Sequence, residues 1–193
     1  MKFTDKQFFD WEIQNGLTPD NPDYLRLHAF TADLIAQYKP RRVLEIGSGM
    51  GTLLECLTQK GFYAAGIDVN RFHRDFFLKR NPSLADRYGL LDHKFKLKSF
   101  DFVVSIEVFE HLTDALIHEY MKQLKPRYFL FSSTPNKTTP EFDEQWGHIN
   151  LKQESEWIDL FSGYGYQLEK KLTLPTEWAL LFKRPGILKR LFG

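Results

Sequence analysis

The chain has 193 residues, with 26 Lys plus Arg against 25 Asp plus Glu, so its net charge is +1. That length allows one sizeable core, and that balance offers no general attraction for nucleic acid or an anionic membrane face. A single cysteine, Cys56, excludes an internal disulfide or a thiolate metal cluster, and no apolar run approaches a membrane span, so a cytoplasmic chain without membrane insertion is expected.

The opening stretch, MKFTDKQFFDWEIQNG, is charged throughout and lacks the apolar centre of a signal peptide. Its Phe8, Phe9 and Trp11 read as core. After Asn21-Pro22 a helix carries Leu25, Leu27, Phe30, Leu34 and Ile35 and ends before Pro40; Tyr24, Arg26 and His28 take surface positions on it. RVLEIG is a strand, Thr52 to Lys60 a helix stopped by Gly61, YAAGIDV a second strand, and Arg71 to Lys79 a short helix. DRYGLLD is a third strand and FDFVVSI a fourth. A helix from Glu107 to Leu124 follows, then the strand RYFLFSS and a helix from Lys152 to Phe161. YQLEKKLTL and EWALLFKR close the chain as two strands, too close in sequence for a parallel crossover and therefore antiparallel to each other. Strands alternating with helices, and apolar throughout, predict a mostly parallel sheet covered on both faces.

Ligands of such sheets bind beyond the carboxyl ends of the strands, where the strand order reverses. VLEIGSGMG supplies that place: Gly47 and Gly49 remove the Cβ atoms that would keep a ligand off the backbone. Asp68, ending the second strand in GIDVN, offers a carboxylate to both hydroxyls of a ribose. A dinucleotide or another adenosine-bearing cofactor fits so far. Two details separate them. Thr52 stands where the dinucleotide fingerprint needs glycine or alanine. Glu45 beside the turn would repel phosphates but suits a cofactor carrying an ammonium and a sulfonium.

VLEIGSGMG, GIDVN and FDFVVSIEVFEHL resemble, in order and spacing, the motifs of class I S-adenosylmethionine-dependent methyltransferases, in particular the group containing the ubiquinone-type O-methyltransferases. The resemblance implies a seven-stranded Rossmann-like α/β sheet, mostly parallel with an antiparallel last strand and helices on both faces. It implies a single domain, 1–193, with an N-terminal helical cap over 1–40 and the core over 41–193. It places Glu45, Gly47, Ser48 and Gly49 at the methionine end of the cofactor, Asp68 on the ribose, Val69 on the adenine and Asp92 on the adenine amino group. Glu107 joins this cofactor-binding set.

On the expected helix, Glu107, Glu110 and His111 fall at i, i+3 and i+4 and so share one face. His148 lies on the loop after the fifth strand, over the same edge. Carboxylates and imidazoles so gathered could hold a divalent cation or supply a general base. The pattern resembles the magnesium site of small-RNA 2′-O-methyltransferases and the carboxylate cluster of metal-using ubiquinone O-methyltransferases. It implies a magnesium site on Glu107, Glu110, His111 and His148, ranked below a purely structural or substrate-orienting role for the same residues, with Glu110, His111 and His148 the candidate catalytic residues. Trp146 is either buried beneath its loop or a wall of the substrate site. The basic FKRPGILKRLFG reads as a solvated tail.

The function expected is methyl transfer from S-adenosylmethionine to a small-molecule or carrier-bound acceptor, at oxygen. The alternatives are a metal-dependent RNA 2′-O-methyltransferase, disfavoured by the net charge, and a non-catalytic binding module of the same fold. A nicotinamide oxidoreductase is disfavoured by Thr52 and Glu45. Nothing in the sequence fixes the acceptor or the oligomeric state.

Overall fold

The computed structural model describes residues 3–90, 100–134, 139–174 and 178–185. In chain order the elements are α1 (Asp5–Gln14), α2 (Pro22–Ala36), β1 (Arg42–Ile46), α3 (Thr52–Gln59), β2 (Tyr63–Asp68), α4 (Arg71–Arg80) and β3 (Tyr88–Leu90). Then come β4 (Phe102–Ile106), α5 (Asp114–Gln123), β5 (Tyr128–Ser132), α6 (Pro140–Trp146), α7 (Glu154–Gly163), β6 (Gln167–Thr173) and β7 (Trp178–Lys183). The strands form one sheet in the order β3-β2-β1-β4-β5-β7-β6. The first five are parallel, and β7 inserts antiparallel between β5 and β6. The antiparallel closing pair is as expected. The chain winds outward through β2 and β3, then crosses back to lay β4 against β1, so the order reverses between β1 and β4.

Burial on both faces explains the apolar strands. On one face Ile117, Met121, Trp157 and Phe161, from α5 and α7, pack on Leu44, Phe129 and Phe131. On the other, Ala32, Ile35, Leu54 and Phe77, from α2, α3 and α4, pack on Val43 and Val104. Helix α2 is thus part of the covering layer, and of the expected N-terminal cap only α1 stands outside both clusters. The edge strand β6 keeps Glu169, Lys170 and Lys171 exposed, and such charges discourage pairing with another chain.

Two expectations are revised. The helix expected from Glu107 to Leu124 begins only at Asp114: Glu107 has a left-handed backbone (φ 54), Phe109–His111 makes a single tight turn, and Leu112 is extended. Thr113, whose hydroxyl accepts from the Leu116 amide, starts the helix afresh. Helix α6 was not expected. It starts at the Thr139-Pro140 pair, with the Thr139 hydroxyl accepting from Phe142 N, and stops at Gly147 with φ 74.

At the opposite end of the sheet from the glycine turn, Asp101 ties three strands together. Its carboxylate accepts from Arg41 N (2.9 Å) and Arg42 N (2.7 Å), and its carbonyl accepts from Arg127 N and Tyr128 N. Asp101→Ala keeps the backbone bonds and loses the two charge-assisted ones. It should lower the unfolding free energy by about 1–3 kcal/mol in urea denaturation; an unchanged midpoint would show that the backbone ladder alone sets the start of β1.

Candidate active site

Beyond the carboxyl ends of β1, β2 and β4 lies a cavity of about 710 Å³, lined by the glycine turn, the residues after β4, and the inner faces of α1 and α2. The turn is latched to β2, because Gly47 N and Ser48 N both donate to the Ile67 carbonyl (2.9 and 3.1 Å). Gly47 and Gly49 serve different ends in it. Gly47 (φ 76) has no room for a Cβ, which would fall 2.1 Å from a Val108 methyl, so this glycine admits the segment after β4 while itself lining the cavity. Gly49 (φ 50) faces open space, as close approach by a ligand requires.

Glu45 is buried against this turn, and its Oε2 has no hydrogen-bond partner. Burial pushes its carboxyl up to about 8. An unpartnered carboxylate oxygen in a cavity wall fits an incoming ammonium group. Ser48, also buried, donates from its hydroxyl to the Glu45 carbonyl (3.3 Å). Val69 lines the cavity while 65% exposed, an apolar surface open to a flat ring. Asp92 lies outside the described residues.

Asp68 is more fully engaged than the sequence implies. Its Oδ2 accepts from Gly49 N (2.8 Å), and its Oδ1 accepts from Asn70 N (2.8 Å) and lies 3.4 Å from His73 Nδ1. A carboxylate has about four lone-pair positions, so with these bonds in place Oδ2 retains one for a hydroxyl, not two. His73 also bonds Glu12 of α1 through Nε2. Burial alone would lower the His73 pKa, but its bonds to Asp68 and Glu12 and their charges prevail and push it up to about 9. Burial raises the Glu12 carboxyl. The Thr4–Gln7 capping box that starts α1 was the available sequence signal for this cap; nothing in the sequence paired Glu12 with His73.

The second cluster assembles by a turn, not along a helix face. Glu107 accepts from the Ser132 hydroxyl (2.9 Å) and from the Thr134 hydroxyl. Glu110 is fully buried; its Oε2 accepts from Ser133 Oγ (3.0 Å) and its Oε1 has no partner. Burial, with the Glu107 charge beside it, raises its pKa. His148 is brought in because Ile149 N and Asn150 N both donate to the Glu110 carbonyl (2.9 and 3.0 Å). His148 Nδ1 is 3.2 Å from Asp143 Oδ1, and His111 Nδ1 is 3.3 Å from the Gly147 carbonyl. Both contacts place the proton on Nδ1 and make Nε2 the lone-pair donor. Burial, then the neighbouring His148, lowers the His111 pKa.

One donor atom each from Glu110, His111 and His148 lies within 4.8 Å of the others. Glu107, expected as a fourth ligand, is not among these donors; the left-handed turn directs its carboxylate to Ser132 and Thr134. Trp146 lines the cavity and packs edge-on to Trp11 (ring centroids 4.3 Å) and Phe8 (5.8 Å), so α1 and α6 together roof the site. The expected core stripe is therefore half-buried: Phe8 lines the roof, Trp11 backs Trp146, and Phe9 packs on Phe72 and Phe76 of α4. Tyr24 and His28 also line the cavity, whereas Arg26 is exposed and pairs with Asp23.

Residues 22–171 match a family described as a methyltransferase domain. The chain is 26% identical over 196 residues to the ubiquinone biosynthesis O-methyltransferase of Neisseria meningitidis serogroup A, covering 92% of this chain and 74% of that protein. Its fold resembles the methyltransferase domain of bacterial CtHen1-C (TM-score 0.63, 19% identity, 84% of this chain and 100% of that one). It also resembles magnesium protoporphyrin IX methyltransferase from Synechocystis PCC 6803 with bound SAH (TM-score 0.62, 16% identity, 82% and 84%). Among the described residues no helix is long and apolar enough to cross a membrane.

The buried acids and His73 make stability depend on pH. Glu12, Glu45, Glu110 and His73 all have raised values, whereas the lowered His28 and His111 are mostly neutral in both states above the ordinary imidazole value of about 6.5, so in that range the folded chain holds more protons than the unfolded one. Glu45 contributes fully below about 4.5 and loses its contribution as pH rises through about 8; His73 does so between about 6.5 and about 9. His28, lowered by burial to about 4, titrates beneath this window. The melting temperature of the ligand-free chain should therefore fall as pH rises from about 6.5 to about 8, and less steeply in Glu45→Gln. A melting temperature that rises over that window would contradict a neutral buried Glu45.

Proposed function

The chain belongs to the methyltransferase domain family as an S-adenosylmethionine-dependent methyltransferase, and we propose that it methylates a hydroxyl oxygen of a small or carrier-bound molecule. What carries this reading is one juxtaposition: the Glu110–His111–His148 cluster and the Glu45, Gly49 and Asp68 wall line the same cavity. The O-methyltransferase of Neisseria meningitidis supports oxygen as the acceptor atom.

When bound, S-adenosylmethionine supplies a methyl group already activated by its sulfonium. Glu45, with its unpartnered Oε2, would hold the amino group; Gly49 would let the cofactor approach the turn; Asp68 would take a ribose hydroxyl and Val69 the adenine face. Glu107, held by Ser132 and Thr134, would complete that wall. The chain's remaining task is to align the acceptor, exclude water and receive a proton. Trp146 and Phe8 roof the cavity with apolar rings, and Trp11 backs Trp146. His111, its pKa held down by burial, can accept the acceptor's proton at Nε2, and His148 offers a second Nε2 beside it.

The same cluster supports a second reading, a bound divalent cation. Two imidazoles and the unpartnered Glu110 Oε1 form a mixed nitrogen–oxygen donor set. It suits zinc, manganese or iron(II) better than magnesium, which prefers oxygen ligands. A cation there would also serve RNA 2′-hydroxyl methylation, against which the net charge of +1 weighs.

The test is transfer of radiolabelled methyl to hydroxylated small molecules and to RNA, with and without a chelator. Incorporation into a small acceptor is expected. His148→Ala should lower kcat by roughly 10²–10⁴ with cofactor affinity nearly unchanged. Chelator-resistant turnover supports the histidine base, and chelator loss restored by manganese or zinc supports the cation. Incorporation into RNA alone would overturn the small-acceptor reading.

A further inference from the structure

His73 has no part in the chemistry above, yet it is buried between two carboxylates from different parts of the fold. Nε2 bonds Glu12 of α1, and Nδ1 lies 3.4 Å from Asp68 Oδ1 at the end of β2. Phe8 and Phe9 of α1 pack their rings 6.0 and 5.9 Å from the imidazole and help keep water from it. A neighbouring residue repeats the connection. Asn70, also buried, donates its amide N–H to Asp68 Oδ1 (2.8 Å) and its side-chain NH₂ to the Asp5 carbonyl at the start of α1 (2.8 Å). Two residues that orient Asp68, His73 through its ring and Asn70 through its backbone N–H, thus also hold the cap helix.

We propose that His73 is a positioning residue of the nucleoside subsite: by bridging Glu12 and Asp68 it fixes the carboxylate that takes the ribose and ties α1 to it, so that cofactor binding and closure of α1 over the cavity are coupled. The proposal rests on the reading that Asp68 takes the cofactor's ribose. The chemistry requires both ring nitrogens. Only an imidazolium has an N–H for each carboxylate; a neutral ring would turn a lone pair toward one of them. The charged groups facing His73 are Glu12 from α1 and Asp68 from β2, and the positive ring between them removes the repulsion that would otherwise push α1 away. A hydroxyl bound on Asp68 Oδ2 holds that carboxylate in place and so favours the bridged, closed α1. By linkage, a closed α1 strengthens cofactor binding by the same factor.

The test measures cofactor affinity by calorimetry and hydrogen exchange of the α1 amides, with and without saturating S-adenosylhomocysteine. In the wild type, the ligand should slow exchange across α1 by tenfold or more. His73→Gln and Glu12→Gln should each weaken binding about tenfold and abolish that protection, and the double variant should bind no more weakly than His73→Gln alone. Affinity in the wild type should fall as pH rises past about 9, where His73 loses its proton; His73→Gln should show a shallower fall, keeping only the part due to the ligand's own amino group. Wild-type binding with α1 exchange unchanged would overturn the coupling while leaving the cofactor site intact. Unchanged affinity in His73→Gln, or additive losses in the double variant, would overturn the positioning role. Failure of the wild type to bind the ligand at all would overturn the underlying cofactor reading, and the coupling with it.

Discussion

Everything at the open end of the sheet is arranged around carboxylates that burial leaves short of partners. Glu45 and Glu110 each have an oxygen with no hydrogen-bond partner, and both have raised pKa values because their charged forms have lost water. Such groups weaken a fold unless something answers them. The sheet can carry them because its own core is extensive: strands apolar on both faces, and a cluster in which Trp157 and Phe161 of α7 pack on Phe109, Phe129 and Phe131. Stability invested in the aromatic core is what permits unsatisfied polar groups in the cavity.

Strand order then decides where these groups meet. Because β1 and β4 are neighbours while the chain between them runs outward and back, the turn after β1 and the turn after β4 open side by side. Gly47 lets them touch, since any side chain there would strike Val108. The positive φ of Glu107 is the matching irregularity on the β4 side. A non-glycine residue in that conformation is strained, and the hydroxyls of Ser132 and Thr134 hold it there. The contact of the two turns brings a prospective cofactor wall and the Glu110–His111–His148 cluster into one cavity.

Much of this was legible in the sequence because it depends on local pattern. Apolar runs of strand length gave the sheet, the short final connection gave its antiparallel pair, and the glycines with Glu45 and Asp68 marked the ligand end. What escaped depends on contacts distant in sequence or on departures from regular structure. A helix from Glu107 was the natural expectation from i, i+3, i+4 spacing, but the backbone breaks at Glu107 and again at Leu112, so Glu110 and His111 converge with His148 through a turn. Gly47 lines the cavity, but the neighbour that bars a side chain there is Val108, which no local pattern could name. The bond between Glu12 and His73 spans most of the first half of the chain, and neither residue stands out alone. Asp92 falls outside the described residues, so the adenine end rests on Val69.

The central claim is that the unpartnered Glu45 carboxyl receives the ammonium of S-adenosylmethionine. With its pKa raised to about 8, Glu45 is largely protonated at pH 7 in the free chain, and a cation beside it favours ionisation. Binding should therefore release a proton. Calorimetric titration at pH 7, in buffers of different ionisation enthalpy, measures that release directly. The account predicts release approaching one proton per cofactor bound in the wild type, and its loss in Glu45→Gln. Proton release that is absent in the wild type, or that persists undiminished in Glu45→Gln, would contradict it.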